Sequence, residues 1–132
     1  MSTVVITSYG LGHHDTPQAL RPVIVNTLPL RNPPADPAVR ERLTRLTGRD
    51  PAVRAYVLAT PGAQQLIAQA VDRIRQRLGP GQVDVHVYCR GGRHRSVAVA
   101  EEIASRLRAQ GITVDVVHRH ITRPLLPPKG AQ

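Results

Sequence analysis

Short runs of aliphatic and β-branched residues predict four strands. The clearest is residues 83–89, where Val83, Val85, Val87 and Cys89 alternate with polar neighbours. A period of two is typical of a strand whose two faces lie in different environments. The four predicted strands cover residues 3–7, 23–25, 83–89 and 112–117.

Apolar residues spaced three and four apart predict helices between these strands. Asp36-Pro37 and Asp50-Pro51 are typical of a capping residue followed by proline in the first turn, so helices are predicted over residues 37–46 and 51–59. Thr60-Pro61 predicts the start of the next helix, and the last covers residues 96–110. The helix before residue 83 has the most regular apolar face, formed by Leu66, Ile67, Ala70, Val71, Ile74 and Leu78.

The order of these elements predicts an α/β fold, because a strand, a helix and a strand in succession form a βαβ unit with parallel strands. We expect a three-layer sandwich with a mostly parallel sheet of about four strands. The 132 residues suffice for one domain, which we assign to residues 1–123. Residues 124–132 are rich in proline and are expected to form a flexible tail.

Composition adds an expected compartment and an expected partner class. No apolar run approaches the ~20 residues that span a bilayer, the N-terminus lacks a basic leader, and a single cysteine suits a reducing compartment. We therefore expect a cytoplasmic protein with no membrane contact, no cofactor and no metal. The net charge of +9 favours anionic partners, although the codon bias of a GC-rich bacterial genome explains a general excess of arginine equally well.

The segment after the third strand carries the candidate chemistry. It joins a strand to a helix N-terminus at the carboxyl edge of the sheet, where backbone amides and the helix dipole favour an anion. Taken singly, Cys89 also fits a buried structural thiol and Ser96 a helix cap. Taken together, the residues predict a phosphate-type anion site. This anion loop comprises Cys89, Arg90, Gly91, Gly92, Arg93, His94, Arg95 and Ser96.

One pattern in the anion loop is Cys-x5-Arg-Ser, which is similar to the phosphate loop of cysteine-dependent phosphatases. In that interpretation Cys89 is the nucleophile and Arg95 binds the phosphate. An aspartate on another loop must supply the proton, and Asp15, Asp36 and Asp50 are the candidates. Tyr88 stands where those phosphatases usually carry histidine.

A second pattern, Cys-x-Gly-Gly-x-His-Arg-Ser, resembles the C-terminal domain of the RNase adapter protein RapZ family. The similarity runs from about Val4 to Arg119, which is nearly the whole chain. Further matching segments are Ser8-Tyr9-Gly10, Leu30-Arg31-Asn32-Pro33, Leu46-Thr47-Gly48-Arg49-Asp50-Pro51 with Val53 and Tyr56-Val57, and His118-Arg119.

The resemblance implies an RNA-binding, self-associating domain with a pocket for a phosphorylated amino sugar. It also implies that nucleotide binding does not carry over, because the chain contains no Gly-x4-Gly-Lys-Ser/Thr sequence. The departures from the family pattern are Arg90 for threonine, Arg31 for proline, His120 for aspartate, and Pro34 where some members carry histidine.

Three functions remain open at this stage. The first is a non-enzymatic sensor or adapter domain that binds a small phosphorylated metabolite, or RNA phosphate, in the anion loop, with His118, Arg119 and Asn32 closing the pocket. The second is the phosphatase, and the third is a basic domain that binds nucleic acid nonspecifically. Tyr9, Tyr56 and Tyr88 are the only aromatic residues, which gives single-strand stacking little support. RNA would contact a face formed by Arg90, Arg93, Arg119, Arg123 and Lys129.

Overall fold

The computed structural model describes residues 3–30 and 45–123. In chain order the elements are strand β1 (Thr3–Gly10), a 3-10 turn (Leu11–His13), strand β2 (Val23–Asn26), helix α1 (Pro51–Leu58), helix α2 (Ala63–Gln76), strand β3 (Val83–Cys89), helix α3 (Arg95–Ala109) and strand β4 (Thr113–His118). The predicted helix over residues 37–46 lies almost wholly outside the described residues. Asn32, the general-acid candidate Asp36, Lys129 and the predicted tail lie entirely outside them.

The four strands form one parallel sheet in the order β2-β3-β1-β4. The register pairs Gly10 with Cys89 and Ser8 with His118. The carboxyl ends of β1, β3 and β4 therefore meet at one edge of the sheet. That edge carries the anion loop.

The α/β class and the parallel four-stranded sheet are confirmed, and the arrangement is consistent with a three-layer sandwich. The described residues supply the sheet and one helical layer, because α3 packs on β1, β3 and β4 while also touching α1 and α2. The core between them is aliphatic and includes Ile6, Val85, Ile67 and Ile103, all fully buried. No helix in the described ranges is long and apolar enough to cross a membrane.

Two helix starts differ from the prediction. Helix α2 begins at Ala63 rather than at Thr60-Pro61, because the Ala63 N–H donates to the Thr60 carbonyl and closes a separate turn first. Helix α3 begins at Arg95, so Ser96 occupies the second helical position and does not cap the helix. The cap predicted at Asp50 is confirmed, since its carboxylate accepts from the Ala52 N–H at 2.9 Å.

Candidate anion-binding site

Neighbouring segments hold the anion loop in place through hydrogen bonds to three of its backbone carbonyls. The Arg90 carbonyl accepts from the Gly12 N–H at 2.9 Å, and the Gly91 carbonyl accepts from His13 Nε2 at 3.0 Å. The Arg93 carbonyl accepts from the Gly48 N–H at 2.7 Å. The three donors come from two separate segments of the chain, one after β1 and one before α1.

These outward carbonyls determine where the following amides point. In a planar trans peptide the C=O of one residue and the N–H of the next face opposite ways. The N–H groups of Gly91, Gly92 and His94 are therefore turned away from the supporting segments. The Gly92 N–H indeed points inward and lies 3.2 Å from Cys89 Sγ. Inward amides of this kind form a concavity that attracts an anion.

Glycine is required where the loop meets its supports. A Cβ atom on Gly10 would lie 2.4 Å from the Gly91 carbonyl carbon, and one on Gly48 would lie 2.3 Å from the His94 oxygen. Gly92 has φ of 77°, a left-handed conformation that side chains rarely adopt, and its Cβ would lie 2.6 Å from the Gly10 nitrogen. Backbone thus packs directly on backbone, which explains the glycine content of these three segments.

Cys89 and Ser96 form the base of the loop. Both are buried, and Cys89 Sγ lies 3.1 Å from Ser96 Oγ. The first backbone amides of α3 have no acceptor within the helix, and the side chain of the N-cap residue, His94, does not cap them. The helix N-terminus therefore adds donors and a partial positive charge beside the inward amides.

The Arg95 guanidinium turns towards the segment after β2. Its NH1 donates to the Leu28 carbonyl at 3.0 Å and to the Leu30 carbonyl at 3.2 Å. The residue is only 6% exposed, and its Nε finds no acceptor among the described residues. Burial lowers the pKa of Arg95, and the neighbouring Cys89 counteracts part of that change.

The four arginines of the predicted RNA face lie at the same edge. Arg93 NH1 donates to the Arg123 carbonyl at 2.9 Å, which ties the anion loop to the turn after β4. Arg90 is partly exposed, and Arg123 is exposed. Arg119 also reaches this edge, where both of its bonding nitrogens contact Asp15, at 2.8 and 3.0 Å.

His118, expected to close the pocket, points under helix α3. Its Nδ1 lies 2.6 Å from Ser8 Oγ and its Nε2 lies 2.8 Å from Glu101 Oε1. The carboxylate only accepts, so Nε2 donates to it; in the neutral ring Nδ1 then accepts from the serine hydroxyl. Glu101 also lies 3.5 Å from Arg49 Nε. The His118 side chain thereby joins β1, β4 and α3 and does not face the anion loop.

Two histidines that the sequence analysis did not assign to the site lie beside the loop. His13 donates to Gly91, and its ring lies 4.6 Å from the fully buried ring of His120. His120 Nδ1 accepts from the Gly10 N–H at 2.8 Å, and its Nε2 lies 3.1 Å from Asp15 Oδ2. No spacing rule connects residues this far apart. The one available signal was the departure at His120 from the family pattern.

Comparisons with known proteins give one consistent result. The chain matches the family described as the RapZ C-terminal domain over residues 2–122. It is 42% identical over 130 residues to a nucleotide-binding protein of Rubrobacter xylanophilus, covering 89% of this chain and 39% of the relative. A nucleotide-binding protein of Frankia alni is 47% identical over 89 residues, covering 63% of this chain and 31% of the relative. The chain therefore spans between about a third and two fifths of the length of these relatives.

Proposed function

Because the chain belongs to the RapZ C-terminal domain family, we propose that it is a non-enzymatic regulatory domain that binds a small phosphorylated ligand in the anion loop. The observation that carries this proposal is the set of three outward carbonyls, at Arg90, Gly91 and Arg93. They turn the following amides inward at a helix N-terminus. Such a site binds the oxygens of a phosphate group and needs no catalytic group to do so.

The charges around the loop support an anionic ligand. Arg90, Arg93 and Arg123 lie near its rim, and the chain carries a net charge of +9. Arg95 is buried without a carboxylate partner among the described residues, which leaves a positive charge at the base of α3. The amino-sugar phosphate is the ligand class that the family resemblance suggests.

Three observations on the described residues favour a binding site over a phosphatase. Hydrogen bonds from Arg119 and His120 hold the pKa of Asp15 far below its usual range, so Asp15 carries no proton to donate at neutral pH. Asp50 is occupied as a helix cap. Cys89 is 3% exposed, which restricts its approach to a phosphorus atom. We expect no hydrolysis of an aryl phosphate, and turnover that disappears in Cys89→Ser would support the phosphatase instead.

An adapter role requires a macromolecular partner, and structured RNA is the partner we propose. The basic rim of the anion loop would contact its phosphates, and a small ligand in the loop would compete with them. We also propose that the domain acts in the cytoplasm and forms homodimers, as the family resemblance suggests. Sedimentation of the protein at high micromolar concentration tests the dimer, and a monomer there would contradict it.

The ligand site is tested by following amide NMR shifts during titration with inorganic phosphate and, separately, with a hexosamine phosphate. The largest shifts are expected within residues 89–97, and shifts centred elsewhere would contradict the proposal. Gly91→Asp is the informative variant, because a Cβ there meets no atom within 4 Å and the fold can accept it. A carboxylate at the rim should weaken phosphate binding by roughly tenfold or more.

Gly81→Asp is the matched control. A Cβ at Gly81 likewise meets no atom within 4 Å, and the residue lies in the turn before β3, at the other end of that strand. The two variants carry the same added charge. Equal phosphate affinity in both would mean that the charge, and not the loop, determines binding.

A further inference from the structure

Asp15 is placed beside the anion loop but does not line it. Its carboxylate accepts from Arg119 at 2.8 and 3.0 Å and contacts His120 Nε2 at 3.1 Å. The Asp15 side chain is 42% exposed, whereas that of His120 is completely buried. Asp15 thus connects a surface cation to a buried imidazole.

The buried imidazole has one hydrogen-bonding pattern that satisfies both of its neighbours. Its Nδ1 accepts from the Gly10 N–H at 2.8 Å, so that nitrogen carries no proton. The ring proton of the neutral form must then sit on Nε2, where the Asp15 carboxylate accepts it. Asp15 therefore stabilises the same tautomer that accepts the Gly10 amide hydrogen.

The backbone of Gly10 packs directly against the anion loop. Its position leaves no room for a side chain, since a Cβ would lie 2.4 Å from the Gly91 carbonyl carbon. On the other side, a Cβ on Gly92 would lie 2.6 Å from the Gly10 nitrogen and 2.9 Å from His120 Cβ. A change in the orientation of the Gly10 peptide or of the His120 ring would therefore displace Gly91 and Gly92.

We propose that Asp15 is a positioning residue for the anion loop, acting through the tautomer of His120 on the Gly10 peptide. The proposal rests on the proposed function, because the position of the loop matters only if the loop binds an anion. The His13 ring packs beside the His120 ring, and its Nε2 donates to the Gly91 carbonyl at 3.0 Å, so His13 supports the loop at the same place. No contact between Asp15 and the ligand is required.

A positioning role for Asp15 and simple electrostatics predict opposite changes in phosphate affinity when Asp15 is removed. As a negative charge near the rim, Asp15 repels an anion and neutralises Arg119, so its removal would strengthen phosphate binding. As a positioning residue, it holds the inward amides in place, so its removal weakens phosphate binding. The direction of the change distinguishes the two roles.

The test compares Asp15→Leu, Asp15→Asn and Asp72→Leu with the wild type. Inorganic phosphate is titrated, and the dissociation constant is read from the Gly91 and Gly92 amides. Asp15→Leu should raise that constant about three- to tenfold, the loss expected for one hydrogen bond. Asp15→Asn should restore most of the affinity, because its amide oxygen still accepts from His120. Asp72 is an exposed aspartate on α2 that bonds Gln76, so Asp72→Leu makes the same charge change on another element and should leave the affinity unchanged.

The second readout is the His120 tautomer, measured from its ring nitrogen shifts without any ligand. The wild type and Asp15→Asn should carry the proton on Nε2, and Asp15→Leu should show a mixture. Tighter phosphate binding in Asp15→Leu, or an unchanged tautomer, would overturn the positioning role while leaving the proposed function intact. No phosphate shifts in the wild type would overturn both.

Discussion

Arg95 is the residue whose observed contacts change its interpretation most. A buried guanidinium loses the solvation of its charge, and the Leu28 and Leu30 carbonyls replace part of it. The side chain therefore fastens the segment after β2 to the start of α3. If Arg95 also binds the anion, it does so in addition to this structural role. Loss of anion binding in Arg95→Ala would therefore not distinguish a binding role from a structural one.

Arg95→Met keeps most of the side-chain volume and removes the two charged hydrogen bonds. We expect it to lower the free energy of unfolding by about 1.5–3 kcal/mol, the usual range for hydrogen bonds from a charged group. Urea unfolding provides the measurement. Arg75→Met on the exposed face of α2 is the control and should stay within about 0.5 kcal/mol of the wild type. Equal stability of all three proteins would contradict a structural role for Arg95.

The two glycines of the anion loop should respond differently to alanine. At Gly92 the left-handed φ of 77° and the contact with Gly10 both oppose a side chain, so Gly92→Ala should cost about 1–3 kcal/mol of stability. At Gly91 a Cβ meets no atom within 4 Å, so Gly91→Ala should be nearly neutral. Thermal unfolding of the two variants checks this, and equal losses would mean that the loop conformation differs from the one described.

Among the elements, the strand, loop and helix from residue 83 to residue 109 were the most predictable from sequence. Alternation, the Gly-Gly pair and helical spacing are all local signals, and they locate the strand, the loop and the helix, although the buried His86 interrupts the alternation of β3. The supports of the loop were not predictable, because Gly12, His13, Gly48 and His120 reach it from other segments. Only the parallel register, which pairs Gly10 with Cys89, brings those segments to one edge.

Strand β3 carries a pH-sensitive group outside the anion loop. Burial lowers the pKa of His86; Asp84 raises it to a smaller extent, and Arg119 lowers it further. The unfolded chain, with a histidine pKa near 6.5, then binds the proton more readily than the folded one. Stability should therefore be full above about pH 7 and fall as the pH drops through 6.5 towards the lower folded value.

His86→Gln should reduce that loss of stability. The measurement is the difference in urea unfolding free energy between pH 7.5 and pH 5.5 for each protein. A second comparison, between pH 8.5 and pH 7.5, serves as the control because His86 is largely neutral there in both the folded and the unfolded state. His13, whose pKa is also lowered mainly by burial, should leave a residual pH dependence in the variant. An identical loss in both proteins would mean that His86 stays solvated.

On the scale of the whole molecule, two arginines of the predicted RNA face, Arg119 and Arg123, differ in whether a carboxylate pairs with the guanidinium charge. The Arg119 charge is paired with Asp15, whereas the exposed Arg123 contributes its carbonyl, and not its guanidinium, to the contact with Arg93. We expect structured RNA to bind weakly, with a log–log salt slope of about −2 to −4, corresponding to roughly 3–5 phosphate contacts. Arg123→Glu should make that slope shallower by about one unit or more.

Filter binding at several salt concentrations measures the slope. Arg75→Glu on α2 is the control with the same charge change, and it should retain the wild-type slope. A slope that is equally shallow in both variants would indicate that net charge alone holds the RNA. Because arginines on phosphates do not read bases, we expect little discrimination between RNA sequences.

The three outward carbonyls have a consequence for protein engineering. The eight residues of the loop do not fix their conformation alone, since hydrogen bonds from Gly12, His13 and Gly48 hold three of their carbonyls. Grafting the octapeptide onto the strand–helix junction of another parallel sheet would transfer its sequence without the hydrogen bonds that support its conformation. The transferable unit is larger: the loop together with the two segments that brace it. A designer who wants this site must therefore transplant three stretches of chain at once, or adopt the whole scaffold.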